Sequence, residues 1–209
     1  MNTLKVNSGQ LLATMTRSAM VESQHFGHLV LINADGSILL ELGQPRAQMF
    51  PRSSIKSMQA VAMVRNGLNF EGRNLALACA SHGGTDEHQE VALENLVSVG
   101  LGADALMNTP DRPISDLARK AWGDKAPTSL AANCSGKHSA MLATCVANGW
   151  DLKTYKSADH PLQIAIKKEI EILTEEKIEL VSIDGCGAPL FAMSTLGMAR
   201  AARTMRISG

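Results

Sequence analysis

One predicted β-hairpin constrains the fold of this chain more than any other feature. Residues 26–33 and 37–42 are two β-rich runs, and Ala34, Asp35 and Gly36 between them have turn chemistry. A hairpin alone is only marginally stable, and its outer edges need partners. Such partners are not evident in the remaining sequence. We therefore predict an α/β protein with an N-terminal hairpin, an incomplete sheet and a largely helical remainder.

Most of the remaining sequence has helical periodicity and recognisable helix ends. The predicted helices cover residues 52–66, 87–99, 113–122, 136–148, a segment opened by Pro161, and residues 189–204. We expect Asp86 to cap the second helix, with Gln89 as its capping-box partner. The helix 136–148 is small and apolar nearly all round, so it should be buried. Residues 181–184 fit a short strand or a loop, and residues 74–80 fit either a strand or a helix.

The composition argues against several classes of partner. The 20 basic and 20 acidic side chains cancel, so there is no electrostatic reason to expect nucleic acid or an anionic membrane. Aromatic residues make up only 3% of the chain, which argues against a surface that stacks bases. No apolar run approaches the roughly 20 residues of a membrane helix. The N-terminus also lacks the apolar core of a secretory signal.

The four cysteines indicate a reducing compartment. They are Cys79, Cys134, Cys145 and Cys186. Without a secretory signal they fit reduced thiols better than a disulfide framework. The chain has no internal repeat, low-complexity tract or flexible linker. We therefore predict a cytoplasmic protein with a single domain over residues 1–209.

The first candidate for chemistry is R-S-S-I-K at residues 52–56. Ser53 and Lys56 lie three residues apart at the start of a predicted helix, so their side chains share one face. A neutral lysine can take the proton of a serine hydroxyl and make it a nucleophile. The start of a helix and burial both favour the neutral amine. Ser54 could compete for this role, and the alternative is a helix-cap serine followed by a solvated lysine.

The second candidate is N-C-S-G-K-H at residues 133–138. Lys137 and His138 fall in the first turn of the buried helix, where positive charge is unfavourable. A segment selected only for stability would carry acidic residues there. Cys134 at the same helix end should have a lowered thiol pKa. The alternative is a small buried cysteine beside a surface Lys-His pair.

Two loops complete the set of candidates. D-G-C-G-A-P at 184–189 is a tight loop that can present Asp184, and its Cys186 could join Cys134 in binding a metal such as zinc. Two cysteines without C-x-x-C spacing are only a weak zinc signal, and the loop could equally be a simple turn. A-S-H-G-G-T-D-E-H at 80–88 places Ser81 in a Gly-rich loop suited to an oxyanion or, equally, to a helix cap.

Taken together, these segments resemble the asparaginase II family of the thermolabile, rhizobial type. The matching segments are V-E-S-Q-H at residues 21–25, R-S-S-I-K at 52–56, C-A-S-H at 79–82, N-C-S-G-K-H at 133–138, D-H-P at 159–161 and D-G-C at 184–186. They follow the family's order and approximate spacing along essentially the whole chain. N-C-S-G-K-H followed by D-G-C is the most specific part of the match.

The resemblance implies an αβα architecture like that of the serine β-lactamases and glutaminases. It also implies hydrolysis of L-asparagine to L-aspartate and ammonia in a homodimer. The roles that it implies are catalysis by Ser53, Lys56 and Ser81, substrate binding by Asp184, Arg52 and His138, and zinc binding by Cys134, Lys137 and Cys186. Zinc is expected to orient the substrate and not to supply hydroxide.

Members of the resembled family continue for more than a hundred further residues. The resemblance therefore implies that this chain is the N-terminal two-thirds of the full domain. It also implies that the late strands of the sheet, and the lysine that pairs with Ser81, lie beyond Gly209. Two alternatives follow: a glutaminase or other Ser-Lys amidase, and an inactive remnant that binds only a metal or a partner chain.

Overall fold

The structure is a computed structural model that describes residues 9–207. These residues belong to two compact units. The first contains the chain up to residue 51, residues 171–180 and the chain from residue 191 onwards; the second contains residues 52–170 and 181–190. Both helices and strands are present, so the α/β class is confirmed. A single domain over the whole chain stays a prediction.

The first unit holds most of the strands. Its elements are β1 (Gln10–Arg17), β2 (Met20–Gly27), β3 (Leu29–Ile32), β4 (Ile38–Leu42), β5 (Gln48–Met49), β8 (Met193–Ser194) and α7 (Thr195–Ile207). β1 pairs with β2, β3 with β4, and β5 with β8, each antiparallel. Among the described residues each of these pairs is a two-stranded sheet. The incomplete sheet expected from the sequence therefore consists of separate strand pairs.

The predicted hairpin is confirmed as β3 and β4. The amide of Asn33 donates to Ser37 O at 2.8 Å, and the amide of Gly36 donates to Asn33 O at 2.9 Å. Gly36 has φ +88°, the left-handed conformation that a glycine adopts without strain. The N-terminal limit at residue 26 was wrong, because residues 26 and 27 end the preceding strand, β2.

The second unit holds the helices around the site. They are α1 (Lys56–Arg65), preceded by a 3-10 turn at Arg52–Ile55, α2 (Gly72–Ala78), α3 (Asp86–Val97), α4 (Asp116–Trp122), α5 (Ser135–Asn148) and α6 (Pro161–Thr174), which continues past residue 170. The short strands β6 (Val181–Ile183) and β7 (Pro189–Phe191) pair with each other. The prediction of a buried helix is confirmed, since every residue of α5 from Ser135 to Cys145 is buried.

Close packing explains the small residues of α5. This helix lies against α1, α2 and α3. A Cβ atom added at Gly136 would stand 2.6 Å from Leu77 O in α2, closer than two such atoms can approach. The two helices can therefore meet here only because residue 136 has no side chain. Gly136 also belongs to the N-C-S-G-K-H motif, so this packing helps to fix the start of α5.

Several helix limits differ from the sequence predictions for physical reasons. Thr85, not Asp86, caps α3: its hydroxyl accepts from the amide of His88, whose imidazole accepts from the amide of Thr85. Gln89 instead donates to Gly84 O. Residues 74–80 mostly belong to the helix α2.

Two other helices begin later than predicted. α4 begins at Asp116 and not at residue 113. α7 begins at Thr195, because residues 189–194 contain β7 and β8.

The sequence has no apolar run long enough to predict a membrane helix. Among residues 9–207 of the structure, no helix is long and apolar enough to cross a bilayer.

Candidate functional site

The R-S-S-I-K segment forms a tight turn that exposes one serine and buries the lysine. Ile55 is 1% exposed and anchors the turn in the core, while Ser53 points to the surface. Arg52 has φ +53°, a conformation that costs a residue with a side chain free energy and that often marks functional sites. Lys56 follows as the first residue of α1 and is only 3% exposed.

The buried Lys56 amine contacts oxygen atoms from two other segments. Its Nζ donates to Ala80 O at 2.7 Å, to Ser81 Oγ at 3.2 Å and to Asn133 O at 3.3 Å. Burial, followed by repulsion from Lys137, lowers the pKa of Lys56 to about 8. Because this value is close to neutral, a useful fraction of the amine is uncharged near physiological pH and can accept a proton.

Ser81 connects the amine to the exposed serine. Ser81 Oγ donates to Ser53 Oγ at 3.2 Å, and Asn133 Nδ2 donates to Ser81 Oγ at 3.2 Å. Ser81 lies between Ser53 and Lys56, so the three side chains form one hydrogen-bonded series. The second Ser-Lys pair that the resemblance implies for Ser81 stays a prediction.

An ion pair flanks this series. Arg52 Nε lies 2.7 Å from Asp184 Oδ1, which also accepts from the amide of Gly185 at 2.8 Å. The Arg52 side chain is 65% exposed and that of Asp184 is 16% exposed. A free amino acid carries a positive ammonium group and a negative carboxylate. A negative and a positive side chain held close together are therefore complementary to these two groups.

The two predicted cysteines meet in the core behind the ion pair. Cys134 and Cys186 are buried together with Ala132 and Ala188. The hydrogen bond from the Cys134 thiol lowers the pKa of Cys186, and the nearby Lys137 lowers it further. The same hydrogen bond, together with burial, raises the pKa of Cys134. The raised pKa of Cys134 contradicts the lowered value expected from its place at a helix end, because the bond to Cys186 and burial outweigh the helix dipole.

Two nitrogen atoms approach these sulfur atoms. Lys137 Nζ donates to Cys186 Sγ at 3.4 Å. One ring nitrogen of His138 and both sulfur atoms lie within 4.8 Å of one another. His138 is completely buried, which lowers its pKa to about 4 and keeps the ring neutral. The surface Lys-His pair considered above is therefore excluded, because both side chains point into the core.

The donor set fits a metal ion. His138 Nδ1 is held by Tyr155 Oη at 2.8 Å, while its buried Nε2 has no nitrogen or oxygen partner among the residues that the structure describes. The ring also interacts with the Cys186 sulfur, which lowers the pKa of Cys186. Metal-binding histidines are commonly oriented in this way through the nitrogen that does not bind the metal. Two sulfur atoms and a nitrogen suit zinc.

A cavity of about 260 Å³ joins the serine series to the ion pair and the thiols. Its lining includes Arg52, Ser53, Lys56, Asn133, Cys134, Asp184 and Cys186. The volume lies below the roughly 300–1,000 Å³ typical of pockets for drug-sized ligands, so it suits a small molecule. His138, Lys137 and Ser81 are outside this lining. For His138, burial beside the sulfur atoms agrees better with a place at the metal group than with direct substrate contact.

Several site residues were not identified individually from the sequence. Asn133 belongs to the N-C-S-G-K-H motif but has no predicted role of its own, yet it contacts both Ser81 and Lys56. Thr109 and Asp111 line the cavity. Tyr155 orients His138. The motif around Cys134 was a usable signal for Asn133, whereas the other three residues lie in segments that have no recognisable pattern.

Comparison with known families identifies the family of this chain. The model of the L-asparaginase II family matches residues 13–208. The chain belongs to the L-asparaginase II family. The match contains every residue of the site described above, from Arg52 to Cys186. Membership in this asparaginase family supports an amidohydrolase that acts on a small molecule. No curated protein matches the chain.

Proposed function

We propose that this L-asparaginase II family member hydrolyses L-asparagine to L-aspartate and ammonia, with Ser53 as nucleophile and Lys56 as base. The observation that carries the proposal is the hydrogen-bonded series from Ser53 through Ser81 to the buried Lys56 amine at the edge of a small polar cavity. Nucleophilic amide hydrolysis needs a nucleophile and a base. Here the serine hydroxyl can be the nucleophile, a lysine amine with a lowered pKa can be the base, and a second hydroxyl connects them.

The proton follows the hydrogen bonds during this reaction. As Ser53 Oγ attacks the side-chain carbonyl carbon, its proton passes to Ser81 Oγ, and the Ser81 proton passes to neutral Lys56. Protonated Lys56 then returns a proton through Ser81 directly to the amide nitrogen, because Ser53 Oγ is now bonded to the substrate carbon, and ammonia leaves. Water attacks the ester on Ser53 and gives one proton through Ser81 to Lys56. Lys56 returns that proton to Ser53 Oγ as the ester bond breaks, and the proton of the new carboxyl group goes to the released ammonia. Each step conserves protons, and Lys56 alternates between neutral and charged forms.

Charge complementarity supports an amino acid as the substrate. In this proposal the α-ammonium group binds Asp184 and the α-carboxylate binds Arg52. These two contacts replace the ion pair between Arg52 and Asp184. The amide then extends from this ion pair to Ser53. Arg52 and Ser53 are adjacent in the chain, and on this ground we propose that the site accepts a short side chain better than a longer one.

Asparagine and glutamine distinguish the proposed activity from that of a glutaminase. At equal subsaturating concentrations, we expect ammonia release from asparagine to exceed release from glutamine by at least about tenfold, because one misplaced methylene group changes recognition by about 10- to 200-fold. Equal or greater release from glutamine would favour the glutaminase. No release from either amide, in protein shown to be folded, would favour the inactive remnant.

We propose that Cys134, Cys186 and Lys137 hold a zinc ion, with the His138 ring beside it. The buried His138 Nε2 beside the two sulfur atoms and the lowered pKa of Cys186 support this assignment. A zinc ion bound here would supply Lewis-acid chemistry, polarising and orienting an oxygen or nitrogen of the substrate.

Zinc binding gives a test that is independent of catalysis. We expect the metal-free protein to bind one zinc ion and to gain about 2.7 kcal/mol in the free energy of unfolding at 100 times the dissociation constant. Cys186→Ser should lose this stabilisation, measured by thermal unfolding with and without zinc. Cys79→Ser, which changes a half-buried cysteine outside the cluster, is the matched control and should keep it. Equal stabilisation of the Cys186→Ser variant would exclude this zinc site.

Three broader properties belong to the same proposal. We propose a serine β-lactamase-like and glutaminase-like architecture, a homodimer and a cytoplasmic location. The resemblance of the motifs supports the first two, and the reduced cysteines support the third. Sedimentation of the purified protein tests the homodimer.

A further inference from the structure

We infer that Asn133 is a positioning residue that sets the direction of the hydrogen bonds from Ser53 through Ser81 to Lys56. The inference rests on the proposed function, because it concerns how the proton of Ser53 reaches the base. This role is not evident from the burial of Asn133 or from the chemistry of its amide alone. The amide touches Ser81, the middle member of the series, and its main chain touches Lys56, the last member.

The hydrogen bonds of Ser81 leave one direction for its proton. A serine hydroxyl has one hydrogen and two acceptor lone pairs. Ser81 Oγ accepts from Lys56 Nζ and from Asn133 Nδ2, each at 3.2 Å, so both lone pairs are used. Its single hydrogen is therefore left for Ser53 Oγ, also at 3.2 Å. With Lys56 charged, the series points from the amine towards the nucleophile.

Catalysis needs the opposite direction. Once Lys56 is neutral, Ser81 must donate to Lys56 and accept from Ser53. The Asn133 amide can donate to Ser81 in both states, since reversal exchanges only the other two bonds. A permanent donor on one lone pair thus restricts Ser81 to two arrangements, one for each charge state of Lys56. Without it, Ser81 could turn its hydrogen or a lone pair towards water and break the series.

The surroundings of Asn133 hold its amide at this place. The main-chain carbonyl of Asn133 accepts from the main-chain amide of His82 at 3.1 Å as well as from Lys56 Nζ. The His82 ring accepts from the amide of Gly84 through Nδ1, so its Nε2 carries the hydrogen that reaches Ser135 Oγ at 2.9 Å. His82, which follows Ser81, is therefore bonded through both its main chain and its ring to the segment that carries Asn133. This fixes the distance between the two side chains.

Two substitutions at Asn133 test the role. Asn133→Ala removes the donor, and Asn133→Asp keeps the shape but replaces the donor with an acceptor that attracts the Ser81 proton. We expect kcat for asparagine to fall about 100-fold in both variants. In Asn133→Ala, KM should change by less than about threefold, because the hydrogen bond that is lost goes to Ser81 and not to the substrate. The solvent deuterium isotope effect on kcat should increase, since proton transfer becomes slower relative to the other steps.

A matched control and one reference variant make the outcome specific. Asn148→Ala removes an amide that donates to Asn66 O and Thr144 O at the far end of α5, and it should leave kcat unchanged. Circular dichroism identifies any Asn133 variant that does not fold, and Asn133→Asp then decides. If both Asn133 variants keep kcat and the isotope effect while Ser53→Ala is inactive, the inference is overturned and the proposed function stands. If Ser53→Ala is active, both are overturned.

Discussion

Replacing Ser53 with alanine is expected to reduce asparagine hydrolysis by at least about 1,000-fold. Removal of the nucleophile leaves only binding and transition-state stabilisation, and such substitutions cause losses of about 10³- to 10⁶-fold in enzymes that form an acyl intermediate. Because the Ser53 side chain is exposed, the variant should fold with nearly the same free energy of unfolding. The measurements are ammonia release and thermal unfolding on the same preparation.

Ser54→Ala is the matched control for this result. Ser54 is the neighbouring exposed serine in the same 3-10 turn, and the sequence alone left it as a competing nucleophile. It is not among the residues that line the cavity. We expect Ser54→Ala to retain activity within about threefold, since it is a surface change away from the reacting groups. Loss of activity in Ser54→Ala with full activity in Ser53→Ala would exchange the two assignments.

Replacing Lys56 with methionine should remove the base and lower kcat by about 10²- to 10⁴-fold. In the unmodified protein, the rate should rise with pH, because only neutral Lys56 accepts the proton. With a pKa of about 8, the rate should increase about tenfold from pH 7 to a plateau above pH 9. Lys56→Met should lose this rise.

The rate of the Lys56 variant is best compared with that of Lys153→Met. Lys153 is exposed, and its substitution should change neither kcat nor the pH profile. Initial rates of ammonia release across pH 6 to 10 give both quantities. If Lys56 only stabilised the fold, Lys56→Met would keep the rise of rate with pH. Such a profile would show that another group is the base.

Local patterns predicted the fold wherever the sequence contains its own signal. Gly36 identified the turn between β3 and β4, and helix α5 was predicted from a run of small apolar residues. The hairpin of β1 and β2 was missed because its turn uses Ser18 and Ala19, both with positive φ, in place of the glycine or asparagine that such turns favour. Their side chains give no indication of that conformation.

The site was predictable in its parts but not in its connections. The spacing of Ser53 and Lys56 indicated a pair, and the unfavourable charge of Lys137 at a helix start indicated a special environment. The sequence could not show that Lys56 Nζ reaches Ser81, 25 positions away, or that Asn133 completes the series. Those contacts depend on how α1, α2 and α5 pack, which no local pattern records.

The most direct test of the central claim is to trap the covalent intermediate. The protein is mixed with asparagine and quenched with acid within milliseconds, and tandem mass spectrometry then locates the aspartyl ester. We predict an ester on Ser53 that accumulates before ammonia release becomes linear and that is absent from Ser53→Ala. An ester on Ser54, or steady hydrolysis without any ester and with full activity of Ser53→Ala, would contradict the account.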